Sequence, residues 1–143
     1  MFRKRAIIAA VILSCITSAC GRETLSTADA QRAIDQWTAE RKTEVVEEEV
    51  GRQESYGLQV TDERYAQIKS NVKVECVVKV LGVQGLPDQN AATADLSIEG
   101  FLGTPEFIKG SGKAQFAHYS DGRWVLTEVN WPGGNARTSI DLR

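Results

Sequence analysis

The chain contains a single histidine, His118. A histidine pair or a multi-histidine metal site is thereby excluded, and imidazole chemistry has to be built around that one position. Equally missing are a Gly-rich phosphate loop, a Cys/His ligand spacing and a nucleophile elbow, so no motif names a phosphoryl, metal-assisted or acyl-transfer reaction. Cysteine is sparse too, with Cys15, Cys20 and Cys76 as the three in the chain. The apolar run 6–19 is 14 residues long, short of the roughly 20 that a membrane-spanning helix requires. There is no internal repeat and no low-complexity tract. No constellation of residues identifies a cofactor, a metal or a reaction, and the reading below is of a non-enzymatic domain.

What is present is clearest at residues 113–131, where two strand-like runs flank Ser120-Asp121-Gly122. Asp-Gly between such runs is a strong hairpin signal. A type I turn over residues 119–122, with Gly122 left-handed, opposes His118 to Trp124 and Phe116 to Leu126. A two-residue Asp-Gly loop would instead oppose Tyr119 to Trp124 and Ala117 to Leu126. The first register is preferred, because Ser and Asp suit the central positions of a type I turn. In both registers the hairpin carries apolar bulk on two faces, with Phe116, Trp124 and Leu126 on one or the other and Val125, Val129 and Trp131 elsewhere. One helical layer covers one face of a sheet, so aromatic groups are expected to remain accessible on the far side or rim. Tyr119, Trp124 and Trp131, with Arg123 at the edge, form the candidate partner-binding patch.

At the other end, Arg3, Lys4 and Arg5 precede the apolar run, the pattern of an export signal. Residues 16–21, Ile-Thr-Ser-Ala-Cys-Gly, resemble the cleavage site of bacterial lipoprotein signals, with Thr17 standing where Leu is more usual. The resemblance implies that Cys20 takes a diacylglyceryl thioether, that residues 1–19 are removed, and that the new N-terminus is acylated. Several acyl chains, at about 0.8 kcal/mol per buried methylene, make such an anchor permanent. It also implies an address in the bacterial cell envelope, facing the periplasm or the exterior. Removing the signal takes away three cations and lowers the basic count from 17 to 14 against 19 acidic residues, a net charge near −5. Binding to nucleic acid through the phosphate backbone is disfavoured by that balance. With Cys15 removed and Cys20 acylated, Cys76 is left with no partner for a disulfide.

The mature chain is expected to comprise a tether, 20–26, and a single domain, 27–143. Ser26 or Thr27 caps a helix with Leu25 as a staple, and Ala30, Ala33, Ile34, Trp37 and Arg41 recur at helical spacing. Trp37 is its core anchor. Residues 45–50 fit a continuation of that helix or a short strand, ended by Gly51. Glu47, Glu48 and Glu49 read as a solvated face, since adjacent carboxylates do not converge on a cation. Thr61 caps a second short helix with Tyr65 and Ile68 inward. Two clean period-2 runs follow: Val72, Val74, Cys76, Val78 and Val80, then Ala92, Ala94, Leu96 and Ile98. One wet face per strand implies an antiparallel sheet covered on one side, with Cys76 a structural thiol. Pro132 and two glycines are expected to stop the last strand, and residues 138–142 to add a weak edge strand or stay loose.

The expected fold is therefore α+β, an N-terminal helix packed on one face of an antiparallel meander sheet of about four strands. This order, together with the Tyr-Ser-Asp-Gly-Arg-Trp-Val-Leu hairpin, resembles cystatin-like folds, including the nuclear-transport-factor-like cones. Those folds serve binding domains as well as isomerases and dehydratases. The primary expectation is a lipid-anchored envelope domain that binds a protein or envelope partner. The alternative is a small-ligand cone or isomerase-like enzyme with His118 or Asp95 at its pocket.

Overall fold

The computed structural model describes residues 24–142. Residues 1–19, expected to be an export signal, and Cys20, the expected lipidation site, lie outside the described residues. Helix α1 spans Thr27–Ser55 and helix α2 Asp62–Asn71, followed by strands β1 (Val74–Leu86), β2 (Ala91–Leu102), β3 (Ile108–His118), β4 (Trp124–Trp131) and β5 (Gly134–Leu142). The strands form one antiparallel sheet in the order of the chain. A five-stranded meander thus stands where about four strands were expected.

The fifth strand exists because residues 131–134 turn rather than stop. Pro132 presets one central position and Gly133 takes φ 89° at the next, the composition of a type II turn. Trp131 then pairs with Gly134, and the ladder continues to Trp124 opposite Leu142. Ile140 is buried against the helix-covered face, which ties down the edge that residues 138–142 form.

Helix α1 has 29 residues, about 43 Å at 1.5 Å per residue. Ser26 accepts from the Asp29 N–H at its start, and Ala30, Ala33, Ile34, Trp37 and Arg41 are all buried. The stripe read from the sequence is the buried stripe. Residues 45–50 are helical, and Gly51 does not end the helix: it sits inside α1, which stops only before Gly57 at φ 80°. An interior glycine costs about 1 kcal/mol relative to alanine. Glu49, paired with Arg52 and accepting from Gln53 at 2.8 Å, spans that position. Helix α2 packs against the same stretch, and Arg64 donates from Nε to Gln53 at 3.1 Å.

Thr61 caps α2 by accepting from the Arg64 N–H, and Ile68 is buried. Tyr65 is half-buried and donates its hydroxyl to Glu47.

The helix crosses the sheet from the β1 edge at Gln31 to the β4–β5 turn at Arg41. The Gln31 carboxamide donates to the Val78 carbonyl at 3.0 Å and accepts from the Val80 N–H at 2.7 Å, as a neighbouring strand would. An open strand edge is thereby occupied at its centre. Ala92, Ala94, Leu96, Ile98 and Leu102 of β2 point into the core between the layers. Cys76 is half-buried beside it, and burial pushes its thiol up from the ordinary value, keeping it protonated.

The β3–β4 register is the preferred one: Phe116 faces Leu126 and His118 faces Trp124. The Gly122 N–H bonds the Tyr119 carbonyl at 2.9 Å, and Gly122 takes φ 87°. Of the second apolar face expected for this hairpin, Val125 remains, buried apart from the interlayer core, whereas a β-bulge at Thr127 takes Val129 and Trp131 out of it. Pairing passes from Phe116–Leu126 to Gln115–Glu128, leaving Thr127 over. Strict alternation from Trp124 and Leu126 would send Val129 and Trp131 outward and bury Glu128 and Asn130. The extra residue reverses the phase, so Val129 and Trp131 rejoin Leu126 in the core. The Thr127 hydroxyl donates to the Gln115 carbonyl at 3.1 Å across the bulge.

Candidate functional site

The expected patch divides between the two ends of β4. Trp131 is 8% exposed and tilts against Trp37, ring centroids 5.9 Å apart, with the Arg41 guanidinium 5.2 Å from its own ring. It is a core residue, seven positions and roughly 23 Å of strand from Trp124. Placing Trp131 in a surface patch assumed an unbroken strand, and the bulge removes it.

Of the remaining three residues, Tyr119 and Arg123 meet at the hairpin tip, while Trp124 turns in behind it to stack on His118. Tyr119 is 46% exposed, with the Arg123 guanidinium 5.2 Å from its ring centroid. Arg123 is held on two sides: Nε donates to Asp121 at 2.6 Å and Nη1 to Asp141 at 2.7 Å. The bond to Asp141 foremost, and that to Asp121, raise the Arg123 pKa further above its ordinary value. The backbone N–H of Arg123 also donates to Asp121, and that bond, ahead of the side-chain one, lowers the Asp121 pKa below its usual value. The tip therefore holds an aromatic ring and a cation in one fixed arrangement.

Behind the tip, His118 and Trp124 stack with centroids 4.4 Å apart and planes inclined by 22°. Both rings lie on the helix-covered face, in register with Phe116 and Leu126. They line a recess of about 320 Å³ closed by Leu25, Val83, Leu86 and Pro87. Leu25 is 8% exposed and belongs to the core, so the domain includes a residue of the stretch expected to be a tether. The sequence marked Leu25 as a helix staple, but nothing in its local pattern shows that the β1–β2 turn comes round to meet it.

Asp95 is on the other side of the sheet. Its neighbours Ala94 and Leu96 are buried while Asp95 faces out, 3.7 Å from Lys113. It borders an open groove of about 740 Å³ on the outer face with Thr93, Ser111, Gln115 and Asn130. His118 and Asp95 are separated by the sheet itself and form no acid–base pair. Glu47, Glu48 and Glu49 likewise do not converge: Glu48 reaches Arg41, Glu49 reaches Arg52, and Tyr65 donates to Glu47. Among the described residues no three His, Cys, Asp or Glu side chains are placed to hold a metal ion, and no helix is long and apolar enough to cross a membrane.

Comparison of the chain with protein-family models, with curated proteins and with solved structures finds no match.

Proposed function

We propose that this protein is a lipid-anchored binding domain of the bacterial cell envelope, held to a membrane through acylated Cys20 and contacting a protein or envelope partner through the β3–β4 tip. The observation that carries the binding half is the Tyr119–Arg123 arrangement. A half-exposed ring bearing a doubly held guanidinium loses little side-chain freedom on contact, which is the property of an anchor residue at an interface. The anchoring half rests on the basic, apolar and small-residue pattern ending at Cys20. The long helix followed by an antiparallel meander supports a cystatin-like architecture. That architecture hosts binding domains and enzymes alike, so the function is argued from the tip.

Expression of the full chain in a bacterial host with a labelled fatty-acid analogue tests the anchor. Wild type carries label in the membrane fraction, and Cys20→Ala carries none; label that persists in the variant overturns the anchoring half. A photo-cross-linking residue at position 119, compared in intact cells with one at position 56, tests the surface. A discrete adduct from position 119 that disappears in Arg123→Ala supports the tip. Adducts from position 56 alone overturn it.

A further inference from the structure

The chain that leads back to Cys20 leaves the domain at one particular end. Thr24 and Leu25 line the recess together with Leu86, Pro87, Asn90 and Trp124, so the first described residues lie against the β1–β2 turn and the base of the β3–β4 tip. The two turns are neighbours as well, since the His118 backbone N–H donates to the Asn90 carbonyl at 2.8 Å. Helix α1 starts at this end with Thr27 and carries Tyr56 away from it, by about 43 Å along its axis. Residues 21–23 separate Cys20 from Thr24, and four Cα steps span at most about 14 Å. An acyl anchor on Cys20 therefore keeps both turns beside the bilayer. The connection between α1 and α2, with Tyr56 and Leu58 exposed, is at the opposite end of the helix.

The groups exposed at the anchored end suit a lipid surface. Tyr119 joins an apolar ring to a hydroxyl, the kind of side chain that settles where hydrocarbon meets water, and Pro87 is exposed on the neighbouring turn. The Arg123 guanidinium has five N–H donors. Two of them go to Asp121 and Asp141, and a third can meet a phosphate oxygen. Asp88 and Asp121, exposed on the two turns, are repelled by an anionic surface and attracted by an ammonium group. A phosphate and an ammonium side by side are the headgroup of a zwitterionic phospholipid. We infer that the β1–β2 turn and the β3–β4 tip rest on the bilayer that holds the anchor, contacting zwitterionic phospholipid headgroups, with α1 rising away from it. The contact rests on the acylation of Cys20 proposed above, and makes lipid the envelope partner of the tip.

The test places a photo-cross-linking residue at position 89, 120 or 58 of the full chain, made in a bacterial host and reconstituted into vesicles of phosphatidylcholine and phosphatidylethanolamine. All three positions are exposed, so the fold tolerates the probe. After irradiation and digestion, mass spectrometry reads the acyl groups on Cys20 and any phospholipid joined to the probed peptides. Positions 89 and 120 are expected to carry about tenfold more phospholipid than position 58, because the short tether holds them at a far higher local lipid concentration. Replacing part of the lipid with phosphatidylglycerol leaves the yield at position 120 level or lower, and a severalfold rise overturns the zwitterionic assignment. Equal yields at positions 58 and 120, or an acylated chain without phospholipid at 89 and 120, overturn the contact and leave the anchor standing. A chain without acyl groups on Cys20 overturns the anchor and the contact together.

Discussion

The guanidinium of Arg41 lies 5.2 Å from the ring centroid of Trp131, and 5.9 Å from that of Trp37 one helical turn before it. Arg41 is 5% exposed. Its charge is met by Glu44 at 3.2 Å and Glu48 at 3.6 Å, and its flat surface covers two indoles from opposite layers. Helix and sheet are joined here by three side chains that no local pattern groups together.

Removing either indole is therefore expected to open the interlayer core. Trp37→Ala and Trp131→Ala should each cost about 3–5 kcal/mol, as large aromatic truncations do. Because the rings touch, the double variant should lose less than the sum. Glu48→Ala should stay within about 0.5 kcal/mol, since Glu44 remains on Arg41. Denaturant midpoints decide it, and equal midpoints for Trp131→Ala and wild type would remove Trp131 from the core.

Deleting Thr127 is expected to be far worse than replacing it. Without the extra residue, period-2 alternation sends Val129 and Trp131 to solvent and Glu128 and Asn130 inward. Thr127→Ala loses one hydrogen bond across the bulge and should cost about 0.5–1.5 kcal/mol. Circular dichroism should show the deletion variant unfolded and the alanine variant native. A folded deletion variant with native melting would mean that the bulge does not set the phase.

Gln31→Leu keeps the side chain's bulk and removes both bonds to the β1 edge. The Val78 carbonyl and Val80 N–H lose those partners, for an expected cost of about 1–3 kcal/mol. The sharper reading is local. Hydrogen exchange at the Val80 amide should accelerate beyond what the global loss accounts for, whereas core amides such as that of Leu96 should follow the global change.

Acid should loosen the hairpin tip before the core. The Asp121 carboxyl is held below its ordinary value of 3.8 by the Arg123 backbone N–H and side chain. A depressed folded value means that the contribution is complete above the ordinary value and is lost as pH falls through the folded one. Amide signals of Gly122 and Arg123 should therefore move in that acid range while the Trp37 indole signal stays in place, and Asp121→Asn should abolish the movement. The group is exposed, so the effect is confined to the tip.

The sequence by itself determined the local elements. The buried stripe of α1 follows from helical spacing, the inward faces of β1 and β2 from strict alternation, and the 119–122 turn with its register from Tyr-Ser-Asp-Gly. Each depends on contacts within a few residues, where side-chain size and backbone freedom decide alone. Tertiary structure decided what depends on a distant neighbour. Gly51 stays helical because α2 packs against that part of α1, and residues 134–142 become a strand because Ile140 reaches the core. The bulge at Thr127 follows from the same cause: burying Trp131 against Trp37 and Arg41 outweighs one break in the ladder, and no alternation pattern encodes that comparison. It divided the candidate patch, taking Trp131 into the core, while Tyr119 and Arg123 stay at the tip and Trp124 packs behind them. The recess arose in the same way, from Leu25 and the β1–β2 turn meeting a His–Trp stack more than 90 residues further along the chain than Leu25.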